Sequence, residues 1–256
     1  MDFDILIFGG QSNMQGTTES LPDYNPEIEN TLEYRYLSDE LIPLKHPVGE
    51  NIGEGLLFWA SEGHGSLVPD FCNTYQKLTG KNVLAIHAAR GGTEIAEWEK
   101  GTERYDASIK KIESGIKKAK TLGNIGHIYY IWLQGESDAR RLTPQDVYMQ
   151  KLTKYKNDIF ADAGIEKFCI IEVGYFCGPV SYVNEYTDEE AYAMDEVIME
   201  AQEKLCKNDD DFIILTDVCK DLSRNPEYIN PFCEGHYNNK AMTIIGNTAG
   251  EALAKL

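Results

Sequence analysis

Three short apolar runs, each ending at a polar or glycine-rich segment, constrain the fold of this chain more than any other feature of its sequence. The runs and the segments after them are residues 3–8 before Gly9-Gly10-Gln11-Ser12, residues 82–88 before Ala89-Arg90-Gly91-Gly92-Thr93, and residues 127–133 before Gln134-Gly135-Glu136-Ser137-Asp138. Mainly apolar runs of this length are typical of strands that are buried on both faces of a parallel sheet. We therefore predict that these three runs are strands of one parallel sheet.

Helical patterns separate the strands and fill the remainder of the chain. Apolar spacing and capping signals predict helices over residues 67–78, 105–122, 144–163, 187–206 and 238–256. Further short strands are predicted at residues 31–37, 168–175 and 212–215, and loops at residues 38–65, 176–186 and 217–235. Strands alternate with helices without a linker or repeat, which is the pattern of a doubly wound parallel sheet flanked by helices. We predict a single α/β domain over residues 1–256.

Ser12 is the residue around which we expect a functional site to form. Two glycines allow the tight turn that would lift its hydroxyl off the end of the first strand. Ligands of doubly wound sheets bind beyond the carboxyl ends of the strands. The segments after the three runs should meet there, and His236, before the last predicted helix, can reach the same edge. A hydroxyl, an imidazole, a carboxylate and N–H donors are the groups that acyl transfer requires.

These segments resemble the sequence blocks of the SGNH hydrolase superfamily. The residues that carry the resemblance are Gly10-Gln11-Ser12-Asn13-Met14, Arg90-Gly91-Gly92-Thr93-Glu94-Ile95 with Trp98, Trp132-Leu133-Gln134-Gly135-Glu136-Ser137-Asp138, and His236. They follow the family's order over nearly the whole chain, and they look like the branch that contains sialate O-acetylesterases and the family 6 acetylxylan esterases. The resemblance implies a three-layer α/β/α, flavodoxin-like sheet and hydrolysis of acetyl esters on a small carbohydrate, with no cofactor and no metal.

The resemblance also implies a role for several residues. Ser12 matches the nucleophile of the family and His236 its base. The N–H of Ser12, the N–H of Gly91 or of its neighbour Gly92, and the side-chain amide of Gln134 match the donors that would hold the oxyanion. The serine does not lie in the Gly-x-Ser-x-Gly elbow of ordinary α/β-hydrolases.

The identity of the triad acid is open, because the chain departs from the family pattern here. Many members carry an aspartate three residues before the histidine, and this position is Cys233. A free thiol, with a pKa of about 8.5, is a poor substitute for a carboxylate at neutral pH. In related acetylesterases the glutamate of Gln-Gly-Glu is implicated in pairing with the histidine, so the resemblance makes Glu136 the expected acid, with Glu234 in reserve. A Ser–His dyad is the alternative.

Several neighbouring residues admit either a binding or a structural role. Gln11, Arg90 and His64 could line the substrate pocket, although we favour a loop-orienting role for Arg90. Trp98 is expected to pack under the Gly-Gly-Thr turn, and Asp138 to brace its own turn.

Charge and composition limit the partners of the protein. The net charge is −18 and the pI about 4.6, which repels phosphate backbones and anionic lipid, so we expect neither nucleic acid nor a membrane as partner. No apolar stretch approaches the roughly 20 residues that span a bilayer, and no leader pattern precedes the first strand. We expect a cytoplasmic protein, or a secreted one if a leader was removed. The six cysteines lack CxxC spacing and are expected to be free thiols. The oligomeric state stays open.

Three other functions compete with a carbohydrate acetylesterase. One is an SGNH esterase or thioesterase for other acyl esters, including lipid-like chains. Another is a non-catalytic sugar-binding protein that lost its activity when the aspartate position became Cys233. The last is a flavodoxin-like nucleotide binder that cradles a phosphate on Gly9 and Gly10, although the chain has neither a P-loop nor a GxGxxG pattern.

Overall fold

A computed structural model describes residues 2–50, 64–176 and 187–256, and a central sheet organises them. Its strands are β1 (Asp2–Gly10), β2 (Thr31–Arg35), β3 (Glu40–Pro43), β4 (Asn82–Ala89), β5 (Asn124–Leu133), β6 (Lys167–Ile171) and β7 (Phe212–Thr216). Within the described ranges they lie in the order β3-β2-β4-β1-β5-β6-β7. All neighbours are parallel except β2 and β3.

Strand β1 lies at the centre of the sheet because it is apolar on both faces. It pairs with β4 on one side and β5 on the other, and Gly10 lies opposite both Ala89 and Leu133. The three strands therefore end at the same level, and the segments that follow them share one edge, as the sequence predicts.

The helices begin and end at recognisable capping residues. They are α1 (Ser12–Gln15), α2 (Val68–Thr79), α3 (Glu103–Ala119), α4 (Glu136–Arg140), α5 (Gln145–Ala163), α6 (Asp188–Asn208), α7 (Cys219–Ser223) and α8 (Asn239–Leu253). Thr102 caps α3 by accepting the Tyr105 N–H, and Asn238 caps α8 by accepting the Ala241 N–H. Helix α2 ends at Gly80 in the left-handed conformation.

Helices cover both faces of the sheet, which gives the three layers expected from the resemblance. Phe8 of β1 packs edge-on against Phe71 of α2, with ring centroids 5.2 Å apart. Ile86 of β4 packs against Gly115 of α3. This contact is on the other face of the sheet, because Phe8 pairs with His87, and the consecutive residues Ile86 and His87 point to opposite faces. Helix α8 packs against α2, while α3 and α6 each pack against α5.

Some boundaries differ from the sequence predictions. Strand β3 lies inside the predicted loop at residues 38–65; its four residues are exposed or half-buried, so it lacks the apolar pattern that marks a central strand. Helix α5 has Pro144 at its N-cap, one residue later than the Thr143 cap that the sequence suggests. The short helices α4 and α7 were not predicted. The predicted loop at residues 176–186 lies almost entirely outside the described residues.

None of the helices in the described parts of the chain has the length and apolar character that a bilayer span requires.

Candidate active site

The turn that presents Ser12 depends on a close approach between β1 and β5. Gly10 has a φ of +134°, and a Cβ atom there would lie 2.0 Å from the carbonyl oxygen of Leu133. Because glycine has no Cβ, both strands stay paired to their ends, and the Gln11 N–H donates to the same oxygen at 2.9 Å. Ser12 then opens α1 at the carboxyl edge of the sheet.

Ser12 and His236, which are 224 residues apart in the sequence, meet at this edge. Ser12 Oγ lies 2.8 Å from His236 Nε2. Ser12 is 9% exposed, and it lines the cavity described below, so a ligand in the cavity can contact its hydroxyl. This distance allows the hydroxyl to donate to the imidazole, which is the geometry of a nucleophile and its general base.

The other ring nitrogen of His236 faces a backbone carbonyl and a thiol. Nδ1 lies 3.1 Å from the Glu234 carbonyl oxygen and 3.1 Å from Cys233 Sγ. When Nε2 accepts from Ser12, the Nδ1 proton is available to these two atoms, and the carbonyl fixes the tautomer. Burial lowers the pKa of His236 and raises that of the Cys233 thiol. The thiol is therefore neutral at pH 7, and it does not replace the charge of a carboxylate.

Glu136, the expected acid, does not reach His236. Its Oε1 accepts from Asn13 Nδ2 at 2.9 Å, and its Oε2 makes no hydrogen bond within the described residues. The side chain is almost fully buried, and burial raises the pKa of its carboxyl group. Glu136 is the first residue of α4, and its hydrogen bond within the described residues is to Asn13 and not to the imidazole. Glu234, the reserve acid, approaches His236 through its backbone carbonyl.

Asn13 connects Glu136 to the loop that carries His236, and sequence reasoning missed it. Its Nδ2 also approaches the Gly235 carbonyl oxygen at 3.4 Å, and its Oδ1 accepts from the Tyr237 N–H at 3.3 Å. Asn13 thus contacts the backbone on both sides of the imidazole. Its position directly after Ser12 was the available signal, but its partners lie between 123 and 224 residues further along the chain.

Two of the expected oxyanion donors are engaged elsewhere. The Gln134 amide is fully buried and donates to the Thr93 carbonyl oxygen at 2.9 Å and to Asp138 at 2.6 Å. It braces the turn and does not line the cavity, so the expectation for Gln134 is wrong. The Gly91 N–H donates to Gln15 Oε1 at 2.7 Å.

Three other donors stay available near Ser12. Within the described residues, the N–H groups of Ser12 and Gly92 donate to no acceptor. The third donor, Gln15, was not predicted from the sequence. Its Oε1 accepts the Gly91 N–H, and its Nε2 has no acceptor in the described parts of the chain. The side chain lines the cavity and is 7% exposed. Because Gln15 lines the cavity, this amide nitrogen can donate to a ligand that enters it.

A cavity of about 820 Å³ opens over the serine and the imidazole. It is lined by Gln11, Ser12, Gln15, Gly16, Thr17, His64, Gly91, Gly92, Ser137, Arg140, Phe176, Pro231, Phe232, Cys233, Glu234 and His236. Of the three residues expected to line a pocket, Gln11 and His64 do so, whereas Arg90 does not. Gln11 also holds the turn after β5 by accepting the Ser137 N–H at 3.2 Å.

The structural roles expected beside the cavity are confirmed. Trp98 is fully buried and donates from Nε1 to Thr93 Oγ1 at 3.0 Å. Asp138 accepts the Ile95 N–H at 2.8 Å, in addition to the Gln134 amide. These bonds tie the segments after β4 and β5 together.

Among the described residues no group of histidine, cysteine, aspartate and glutamate side chains is arranged to hold a metal ion. The cysteines at positions 72, 169, 206, 219 and 233 are free thiols, and Cys177 lies outside the described residues.

The layered α/β fold, with a serine and an imidazole at the carboxyl edge of a mostly parallel sheet, is that of the SGNH-like ester hydrolases. Residues 2–225 match the family described as carbohydrate esterase, sialic acid-specific acetylesterase, and the chain belongs to this family. It is therefore a carboxylic ester hydrolase, which argues against the nucleotide-binding and non-catalytic alternatives. The match ends before the loop that carries His236.

Individual relatives are similar over most of the chain. A protein named probable carbohydrate esterase from Arabidopsis thaliana is 25% identical over 187 residues, which cover 68% of this chain and 69% of the relative. The crystal structure of this plant protein superimposes with a TM-score of 0.66 at 16% identity and covers 97% of this chain and 96% of its own. A carbohydrate acetylesterase from Xanthomonas citri gives a TM-score of 0.56 at 13% identity, over 95% of this chain and 54% of the relative.

Proposed function

We propose that this protein removes O-acetyl groups from a carbohydrate through an acyl-enzyme formed on Ser12. The observation that carries the proposal is the 2.8 Å approach of Ser12 Oγ to His236 Nε2 at the floor of an open cavity. Membership of the carbohydrate esterase family supports the class of reaction.

The first half of the reaction forms the acyl-enzyme. His236 accepts the hydroxyl proton as Ser12 Oγ attacks the acetyl carbonyl carbon, and the carbonyl π electrons move to its oxygen. When the tetrahedral intermediate collapses, the bond to the sugar oxygen breaks, and His236 returns its proton to this oxygen. The sugar leaves with a free hydroxyl, and acetate stays esterified to Ser12.

The second half restores the enzyme. His236 takes a proton from a water molecule, the hydroxide attacks the acyl carbon, and the bond to Ser12 Oγ breaks as the serine regains a proton. Acetic acid leaves and ionises at neutral pH. Each half develops one negative charge on the carbonyl oxygen, which must be stabilised.

The proposed oxyanion donors are the N–H groups of Ser12 and Gly92 and the Nε2 of Gln15. All three belong to residues that line the cavity, and none donates to an acceptor within the described residues. Gln15 thus takes the role that the sequence assigned to the Gln134 amide. Gly91 supports it, since its N–H holds the Gln15 oxygen at 2.7 Å and so directs the amide nitrogen away from the turn.

Within the described residues, the His236 imidazole hydrogen-bonds to Ser12 Oγ, the Glu234 carbonyl oxygen and Cys233 Sγ, and none of these partners is a carboxylate oxygen. The imidazolium that forms on His236 is stabilised by the Glu234 carbonyl and by Cys233 Sγ, each 3.1 Å from Nδ1. Asn13 and Glu136 position the loop instead of holding the ring. The pair therefore corresponds to a dyad that a backbone carbonyl orients.

Substitution of the serine tests the proposal. Ser12→Ala is expected to abolish acetate release from p-nitrophenyl acetate and labelling by a fluorophosphonate probe, because no nucleophile remains. Ser20→Ala removes an exposed hydroxyl outside the cavity and serves as the matched control. Unchanged turnover in Ser12→Ala would reject the mechanism.

The substrate class is tested by measuring acetate release from acetylated xylo-oligosaccharides, acetylated sialic acid and simple acetylated monosaccharides, with octanoyl esters for comparison. The proposal expects faster turnover of at least one sugar acetate than of the octanoyl ester. A preference for octanoyl esters would support the lipid-type alternative.

A further inference from the structure

The aromatic ring of Phe232 is exposed to solvent at the rim of the cavity. It is 83% exposed, more than any other large apolar side chain in the described residues. Covering a phenylalanine ring with apolar surface is favourable, so this ring offers binding free energy to a ligand that enters the cavity. The exposure is understandable if a ligand covers the ring.

The loop that presents Phe232 is fixed by one buried residue, Asn230. Its Oδ1 accepts the Phe232 N–H at 2.9 Å, and its N–H donates to the His236 carbonyl oxygen at 2.7 Å. Its Nδ2 donates to the carbonyl oxygen of Thr17, which follows α1, at 2.8 Å. The backbone of Phe232 is thereby tied to the segments that carry both proposed catalytic residues. Such anchoring reduces the entropy that an aromatic side chain loses on binding.

The position of the ring fits the part of a substrate that lies outside the ester. Pro231 and Cys233 on either side of Phe232 line the same cavity as Ser12 and His236. An acetyl group fills only a small part of 820 Å³, so the alcohol portion of the ester must occupy the mouth of the cavity, where Phe232 lies. The net charge of −18 favours a neutral alcohol there.

A pyranose ring has the matching chemistry. Its hydroxyl groups point outward around the rim, while its axial C–H bonds form an apolar face that an aromatic ring can cover without desolvating the hydroxyl groups. A flexible acyl chain would be enclosed better by a groove than by one ring standing in water.

We infer that Phe232 is a sugar-binding platform that stacks on the apolar face of the neutral pyranose ring bearing the acetyl ester. This inference rests on the proposed function, because it takes Ser12 as the place where the ester reacts. It adds a specificity residue that acts on the sugar and leaves the chemistry at the ester unchanged.

The test compares esters that share the acetyl group and differ in the alcohol. Acetate release is measured from O-acetylated methyl glycosides of xylose and glucose and from ethyl acetate, which has no ring. Phe232→Ala is expected to lower kcat/KM for the sugar acetates by roughly three- to tenfold, mainly through KM, and to leave ethyl acetate unchanged. Phe232→Trp should retain the sugar activity. Tyr24→Ala, which removes an exposed ring that does not line the cavity, is the matched control.

Phe232→Leu separates stacking from simple apolar contact. Leucine keeps apolar area but has no flat face, so it should resemble Phe232→Ala on the sugar acetates. Equal losses on ethyl acetate and the sugar acetates, or no loss on either, would overturn the inference. A loss confined to octanoyl esters would assign the ring to an acyl chain instead.

A binding measurement keeps this inference separate from the proposed mechanism. In the Ser12→Ala protein, NMR titration with the acetylated methyl xyloside gives a dissociation constant without turnover. Phe232→Ala should raise this constant by the same three- to tenfold factor, even if Ser12 were not the nucleophile. An unchanged constant would contradict the platform, whereas activity of Ser12→Ala would contradict only the mechanism.

Discussion

Because no carboxylate oxygen of the described ranges hydrogen-bonds to His236, Cys233→Asp is the most informative substitution in this protein. The sulfur lies 3.1 Å from Nδ1, so an aspartate there brings a negative charge to within about 4 Å of the imidazole. We expect the pKa of His236 to rise and the rate at high pH to increase, because the carboxylate stabilises the imidazolium that forms as Ser12 attacks.

The magnitude follows from the geometry. Two unit charges about 4 Å apart interact by about 4 kcal/mol at an effective dielectric constant of 20, and neighbouring opposite charges shift a pKa by about one to three. Position 233 is half-buried, so water screens part of the charge and the lower end applies. An increase of about one in the pKa of His236 corresponds to about 1.4 kcal/mol, or a tenfold higher plateau rate.

The pH dependence has a definite sign. Burial lowers the pKa of His236 in the natural protein, so the neutral, reactive imidazole persists below pH 6.5. In Cys233→Asp the acidic limb of kcat/KM, which reports this pKa in the free enzyme, moves to higher pH. The variant is therefore faster at pH 8, and its activity falls earlier on acidification.

The assay is the pH profile of p-nitrophenyl acetate hydrolysis between pH 4.5 and 9, together with NMR titration of the His236 ring protons. Cys233→Asn has nearly the shape of aspartate without its charge and is the matched control. If the aspartate and asparagine variants share one profile, or if the limb moves to lower pH, the electrostatic reasoning fails.

Three further predictions concern residues around the pair. Glu136→Gln should keep kcat within about threefold, because its amide oxygen can still accept from Asn13; a loss near the 10⁴-fold typical of a disabled triad acid would return Glu136 to this role. Gln15→Ala should lower kcat by about 10²–10³-fold with KM little changed, as expected for an oxyanion donor. Gln134→Ala should instead lower the free energy of unfolding, by about 1–3 kcal/mol in urea titration, because it removes the amide that donates to both the buried Asp138 carboxylate and the Thr93 carbonyl oxygen. A Gln15→Ala enzyme with normal kcat would exclude this donor.

The sheet and the position of the site could be predicted from the sequence because both depend on pattern. The apolar runs that became β1, β4 and β5 are buried over most of their length, including the residues at their carboxyl ends, and such runs are typical of the central strands of a parallel sheet. The meeting of Ser12 and His236 follows from the rule that their segments share the carboxyl edge.

The roles of individual side chains could not be predicted in the same way. Gln134 and Glu136 are separated only by Gly135, whose φ of +150° turns the chain, and the direction of each side chain depends on this turn. The sequence could not indicate that Gln134 would bond to Asp138, or that Asn13 would come between Glu136 and the histidine loop. The sequence did not indicate Gln15 as an oxyanion donor, because the direction of its side-chain amide is set by a hydrogen bond from the Gly91 N–H, 76 residues away.

The packing of α8 against α2 has a consequence for how activity is lost. His236 comes just before α8, while the seven strands and Ser12 are complete without this helix. A local opening that releases α8 would withdraw the base and leave the remainder of the sheet paired. Catalysis therefore depends on the attachment of a helix that contributes no strand to the sheet, and any condition that detaches this helix would abolish turnover while most of the secondary structure persists.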